Sequence, residues 1–226
     1  MHISLGPSEI HIWQTDLSDP RHNYEASSKT LSIDERTRAG RFKFEDDQQR
    51  FVIARSVLRK LLAVYTGQTA DAIQFEQNRY GKPNLSHSSG LHFNVSHSHD
   101  AAVYAIACYE VGIDIERIRP FDDAREIARN FFRASEADTL EALPAHQQIP
   151  AFFQAWARKE AYIKALGRGL SAGMDAIDVR MGAGCADWVS VSPDIQLRDV
   201  VIDDRSACAV AVATQVNTLC QFVYPG

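Results

Sequence analysis

The apolar positions along the chain change period several times, and each change marks a new element. Ile10-His11-Ile12-Trp13 alternates and is β-prone, which predicts a short edge or joining strand ahead of the loop at Asp19-Pro20. Ser32, with Glu35 three residues on, predicts a capping box at a helix start. Phe51, Ala54, Leu58, Leu61, Leu62 and Tyr65 then recur at helical spacing up to Gly67, a stop residue. Leu91 to Ser96 alternates as a strand, and the small apolar run Ala101 to Cys108 predicts a buried one. Val111-Gly112-Ile113-Asp114-Ile115-Glu116 has a period of two, with Ile113 and Ile115 toward a core and Asp114 and Glu116 on the other face. Asp122 and Asp123 open a helix that ends near Phe131-Phe132, and Ser135 with Asp138 predicts the cap of another that stops near Pro144. Ile149, Phe152, Phe153, Trp156, Ile163 and Leu166 form the apolar stripe of a long helix, ended by Gly167 and Gly169. Short strands follow at Trp188 to Val191, Ile195 to Val201, Cys208 to Ala213 and Leu219 to Val223.

This order of elements predicts a mixed α/β fold. The composition of 226 residues, 45 % of them hydrophobic, suffices for two modest cores. The similarity of Cys208–Ala213 to Ala101–Cys108 fits two similar halves. A formal charge of −5 argues against a nucleic-acid or anionic-membrane partner, since both call for a positive field. Cys108, Cys185, Cys208 and Cys220 are widely spaced and suggest free thiols, not a zinc knuckle or a disulfide framework. The first residues lack a signal-peptide pattern and no apolar window reaches bilayer length, so a cytoplasmic protein is expected.

The chemistry gathers around Asp114 and Glu116. Two carboxylates on one strand face, with Cα atoms roughly 6.5–7 Å apart, can converge on one hard cation; the alternative is a solvated acidic edge. Glu160 tips the balance, because on a helical wheel it falls between Phe153 and Ile163, inside the apolar stripe. An unpaired carboxylate there costs several kcal/mol unless a cation or donor receives it. A Glu160–Lys164 pair at i, i+4 accounts for Lys164 but not for the position of Glu160, whereas a third carboxylate aimed at the same cation accounts for both. Lys159 and Lys164 would then be free for phosphate. His97 and His99 form a rival metal pair, but a histidine in this Ser-His-Ser run, just past a strand end, is better suited to donate to an anion. Tyr80-Gly81-Lys82-Pro83-Asn84 is a turn that projects Lys82. Among Arg38, Arg41, Lys43, Arg50, Arg55, Arg59 and Lys60, most read as solvated face charges, with one or two reaching an anionic ligand.

Four blocks in order, Tyr80-Gly81-Lys82-Pro83, Phe93-Asn94-Val95-Ser96-His97-Ser98, Gly112-Ile113-Asp114-Ile115-Glu116 and the run Trp156 to Leu170 containing Lys159-Glu160 and Lys164, resemble the Sfp-like 4′-phosphopantetheinyl transferases. The resemblance implies a pseudo-dimer of two similar α/β subdomains, residues 1–109 and 110–226, with the active site in the cleft between them. It implies transfer of the phosphopantetheine arm of coenzyme A to a serine of an apo acyl or peptidyl carrier protein, releasing adenosine 3′,5′-bisphosphate. Magnesium, or manganese, would be held by Asp114, Glu116 and Glu160, with Glu160 or a water beside it as base. Lys159, Lys164, Lys82, Ser96 and His97 match coenzyme contacts, and Arg50 and Arg38 would lie toward the nucleotide's 3′-phosphate. Glu35 departs from the pattern, standing where relatives often carry positive charge. One chain would supply both halves, so a monomer is expected. A metal-dependent phosphodiesterase and a non-catalytic coenzyme A or carrier-binding module are the competing readings.

Overall fold

The computed structural model describes residues 3–86, 90–169, 173–182, 184, 186–213, 216 and 218–226, which leaves Cys185 and Leu170 outside the described residues. Two four-stranded sheets carry the fold. The first contains β1 (Glu9–Asp16), β4 (His92–Ser98), β5 (Ala101–Ala107) and β10 (Thr218–Val223), in the order β10-β1-β5-β4. The second contains β6 (Val111–Arg117), β7 (Val189–Ser192), β8 (Ile195–Asp199) and β9 (Ser206–Val212), in the order β6-β9-β8-β7. A small hairpin of β2 (Phe75–Gln77) and β3 (Pro83–Leu85) turns at Gly81, whose φ of +86° glycine tolerates without strain.

The helices lie on the outer faces. α1 (Tyr24–Thr30), α2 (Ile33–Ala39) and α3 (Glu45–Thr66) belong to the first half, and α4 (Ala124–Phe131), α5 (Ala134–Ala142) and α6 (Ala145–Leu166) to the second. α3 packs on one face of the first sheet through Val57, Leu58, Leu61 and Leu62 against Ala102, Tyr104 and Ile106. α6 packs on the second through Ala157, Ala161 and Ala165 against Ala207, Ala209 and Ala211. Between the sheets lies a third core of Ile10, Ile12, Val103, Ala105, Ile113, Ile115, Val210 and Val212. The result is four layers, helix, sheet, sheet, helix. This explains why β5 and β9 are almost wholly apolar: both of their faces are covered. The two halves are also alike in plan. α3 and α6 each run 22 residues and end at a left-handed glycine, Gly67 and Gly167.

Three details differ from the sequence expectations. β1 is not at an edge: it pairs parallel with β10 and antiparallel with β5, so the C-terminal strand crosses back into the first sheet. The cap of α5 is built on Arg133, whose backbone N–H donates to Glu136, and Ser135 lies inside the helix. β4 extends to Ser98, which puts His97 within the strand; the turn beyond it is made by His99, at φ +54°, and Asp100. The Ser32–Glu35 capping box and the Gly67 and Gly167 stops form as expected.

Candidate active site

The two halves meet where β4 runs beside β6, and the seam is stitched by side chains at alternate positions of β4. Asn94 Oδ1 accepts from the Ile113 N–H at 2.8 Å, Ser96 Oγ donates to Asp114 Oδ1 at 2.8 Å, and Ser98 Oγ accepts from the Arg117 N–H at 3.0 Å. A period-two strand presents these three groups on one side, which is why a run of small polar residues could serve as a seam. On the other side of β6, α6 crosses so closely that a Cβ on Gly112 would lie 2.1 Å from the Ala161 carbonyl oxygen and 2.3 Å from the Ala165 nitrogen. Only glycine admits that approach, and it brings the last turns of α6 over the acidic face of β6. The face expected to carry Asp114 and Glu116 is therefore covered, and Asp114 is 4 % exposed.

Lys164, near the end of α6, donates to Asp114 Oδ1 at 2.5 Å, to Ser96 Oγ at 3.1 Å and to the Ile113 carbonyl at 3.3 Å. Asp114 Oδ2 is buried without a hydrogen-bond partner, an orphan that a packed interior ordinarily does not leave. Burial pushes the Asp114 carboxyl above its ordinary value, with Lys164 opposing. Glu116 and Glu160 are half-buried and are raised as well, first by burial and then by the negative charge of Asp114. Ser98 offers Glu116 a long hydrogen bond of 3.4 Å. Among the described residues no group of three or more His, Cys, Asp or Glu side chains is gathered so that it could hold a metal ion. The three carboxylates nevertheless fit one chemically: they are hard oxygen donors, the charge of Asp114 raises the proton affinity of the other two, and one buried oxygen has no donor. Among the described residues Lys164 is the only cation bonded to Asp114, so mutual repulsion favours keeping the carboxylates apart.

From this cluster a groove runs along the first half. Its near end, about 280 Å³, is lined by Glu160, Ile163, Lys164, Lys82, Pro83, Asn94 and Val95. Pro83, Asn94 and Val95 also line the next compartment, about 190 Å³, together with Arg38, Phe51, Arg55 and His97. Arg38, Phe51, Arg55 and Pro83 continue into a third, more open stretch beside Ser32 and Asp34. His97 is exposed on this wall, and its imidazole is held below the ordinary value by the protein around it and then by the positive charges of Lys164 and Arg38.

Glu160, Lys164 and Lys82 thus line the near end of this groove and His97 and Arg38 its next compartment, while Asp114 and Ser96 are joined to it through Lys164 and Glu116, bonded to Ser98, lines neither compartment. Lys82 is partly spent there, donating to Glu110 at 2.7 Å and to the Val111 carbonyl at 3.1 Å. Glu110 is held down at about 2, by its hydrogen bond to His92 and then by Lys82. Lys159 is not brought to the groove. It is fully buried on another side of α6, paired with Glu136 at 2.7 Å and donating to the Met174 and Ile177 carbonyls. Arg50 also points elsewhere, to Asp100 at 2.7 Å and Asp47 at 3.3 Å. Arg59, grouped with the face charges, is 2 % exposed and bonded to Glu35, Ala70 and Ile73. Arg55 was hidden in that same group: its spacing four residues after Phe51 is the only signal that it shares the groove face.

A two-subdomain α/β fold with an acid-and-lysine cluster at the seam, continuous with an arginine-lined groove, defines a class of phosphate-handling enzyme. Comparison with known proteins names the family. Residues 110–212 match the 4′-phosphopantetheinyl transferase superfamily and residues 15–109 the 4′-phosphopantetheinyl transferase N-terminal family. The 4′-phosphopantetheinyl transferase HetI of Nostoc sp. is 36 % identical over 94 % of this chain and 91 % of its own length. The psf-1 transferase of Bacillus pumilus is 36 % identical over 76 % of this chain and 73 % of its own, and Sfp of Bacillus subtilis 32 % identical over 67 % and 66 %. The chain belongs to the 4′-phosphopantetheinyl transferase superfamily and is an enzyme of the Sfp-like type. That membership displaces the phosphodiesterase and the non-catalytic module as readings of its function. No helix among the described residues is long and apolar enough to cross a membrane.

Proposed function

We propose that the enzyme moves the 4′-phosphopantetheine group of coenzyme A to a serine hydroxyl of an apo acyl or peptidyl carrier protein, with magnesium, or manganese, as its metal. The observation that carries this reading is the orphaned, buried Asp114 Oδ2 beside Lys164, at the head of a groove whose far part holds arginines. In the reaction the serine Oγ bonds to the phosphorus that bears the pantetheine arm, and the bond from that phosphorus to the bridging oxygen breaks. Adenosine 3′,5′-bisphosphate leaves with the electron pair. Asp114, Glu116 and Glu160 would hold the metal, which when bound neutralises charge on the diphosphate oxygens.

The chain's own groups account for the rest. Lys164 exchanges its bond with Asp114 for a phosphoryl oxygen, and Ser96 and His97 donate alongside it. Glu160, whose proton affinity is already raised by burial and by Asp114, takes the serine proton through its free oxygen. Residues 1–109 supply the nucleotide wall and residues 110–226 the acidic cluster, so one chain suffices and the enzyme acts as a cytoplasmic monomer. The defining experiment incubates the protein with coenzyme A, magnesium and an apo carrier, then weighs the carrier. A gain of one phosphopantetheine mass supports the proposal; no gain on fatty-acid, polyketide and nonribosomal peptide carriers alike refutes it.

A further inference from the structure

Two lysines line the near compartment of the groove, Lys164 from the second half and Lys82 from the first, and they are bonded differently. An ammonium has three donors. Lys164 directs its own to Asp114, Ser96 and the Ile113 carbonyl. Lys82 donates to Glu110 Oε2 at 2.7 Å and to the Val111 carbonyl at 3.1 Å, so among the described residues two of its three donors are used, which leaves one for a ligand in the compartment. Its side chain is 9 % exposed. The Glu110 carboxylate bonds this ammonium from behind, because Lys82 belongs to the lining of the compartment and Glu110 does not.

The remainder of Lys82 is fixed as well. Asn78 Oδ1 accepts from the Tyr80 and Lys82 N–H groups at 2.9 and 3.0 Å, and Asn78 Nδ2 donates across the seam to the Gly167 carbonyl at 2.8 Å. The lysine stem then passes over Gly167, where a Cβ would lie 3.4 Å from Lys82 Cδ. With backbone and stem held, the position of the ammonium is the last freedom left, and Glu110 with the Val111 carbonyl removes it. The carboxylate is itself held, since His92 Nδ1 lies 3.4 Å from its other oxygen.

A carboxylate bonded to a lysine cancels much of that lysine's field, which is a poor arrangement if the compartment needs only positive charge. It is a good one if the ammonium must stand in one place, because a loose lysine carries a large rotamer entropy that a ligand would have to remove on binding. We infer that Glu110 is a positioning residue: it holds the Lys82 ammonium at the wall of the near compartment, with one N–H kept for a phosphoryl oxygen of the donor. The inference rests on the coenzyme A reading for what that oxygen belongs to. Lys164 gives up a bond to Asp114 when it meets the diphosphate, whereas Lys82 meets it with its protein bonds intact. Glu110, held at about 2 by its hydrogen bond to His92 and then by Lys82, stays anionic at any working pH, so the arrangement persists across the assay range.

The test is a double-mutant cycle over Lys82 and Glu110, read as kcat/KM for coenzyme A, with the KM for the carrier and the melting temperature as controls. Lys82→Ala should lower kcat/KM by about 10- to 100-fold, the range of a hydrogen bond to a charged group. Glu110→Ala should lower it by about 5- to 10-fold through the KM for coenzyme A, the cost of immobilising one long side chain on binding, and should leave the KM for the carrier unchanged. Glu110→Gln keeps a neutral acceptor that holds the ammonium about half as strongly, so its loss should be about threefold or less. In the Lys82→Ala background, Glu110→Ala should change kcat/KM by no more than about twofold, because its effect passes through the lysine. Independent losses from the two substitutions, no loss from Glu110→Ala, or a gain of the kind expected from removing a carboxylate that competes with phosphate would each overturn the inference. Calorimetry with pyrophosphate and magnesium runs the same cycle on binding alone. If wild type transfers nothing to any carrier, the coenzyme A reading fails, while coupled losses in pyrophosphate affinity would still uphold the role of Glu110 and additive ones would sink it.

Discussion

Gly112→Ala is the substitution that tests most directly how the fold positions the site. A methyl group there would meet the Ala161 carbonyl oxygen at 2.1 Å, the Ala165 nitrogen at 2.3 Å and the Lys164 carbonyl carbon at 2.8 Å, all backbone atoms that no rotamer change removes. To restore a tolerable contact, α6 must retreat from β6 by roughly 1 Å. Overpacking of this kind costs about 1–3 kcal/mol, and the backbone nature of the clash puts Gly112→Ala at about 3 kcal/mol or above. For a chain of 226 residues that corresponds to a fall of roughly 6–12 °C in melting temperature. The same retreat carries Glu160 and Lys164 away from Asp114, and a misplacement of about 1 Å can cost on the order of 100-fold in rate. Urea unfolding gives the first number, and carrier phosphopantetheinylation at a temperature where both proteins are folded gives the second. A variant that melts within about 2 °C of wild type and turns over normally would show that α6 is not held to β6 by this contact.

Other consequences can be checked independently. Lys159→Met should destabilise by about 3–5 kcal/mol by stranding the buried Glu136 carboxylate, Glu136→Gln on top of it should recover part of the loss, and KM for the donor should stay the same; a rise in KM with intact stability would return Lys159 to the phosphate site. Glu160→Gln should abolish transfer with little change in fold, and near-normal turnover would remove Glu160 as ligand and base. Asp114, Glu116 and Glu160 hold their protons to higher pH in the native protein than in the unfolded chain, so ligand-free stability from these groups falls as pH rises above the ordinary carboxylate range. Melting curves should therefore show Glu160→Gln gaining on wild type toward alkaline pH; parallel curves would contradict this. Glu110, held down at about 2, acts in the opposite sense, its contribution present above about 4.5 and lost as pH falls toward 2. Because a divalent ion competes with those protons, magnesium should raise the melting temperature more at pH 8 than at pH 5, and chelation should stop transfer.

The sequence by itself determined most of the elements. The capping box at Ser32 and Glu35, the helix ends at Gly67 and Gly167 and the apolar strands β5 and β9 are local patterns, and local backbone chemistry decides them. The family was legible too, because its four blocks keep their order along the chain. What the sequence left open was which charges are buried and against what. On a helical wheel Lys159 and Lys164 fall on either side of Glu160, yet one is locked beneath Glu136 and the other reaches Asp114 across the seam. Arg50, Arg55 and Arg59 look alike along α3, but one meets Asp100, one faces the groove and one is sealed against Glu35. Those fates depend on elements far away in sequence, on β10 crossing back beside β1 and on α6 settling over Gly112. A long charged side chain takes its role from the partner that tertiary packing places within its reach, and periodicity carries no record of that partner.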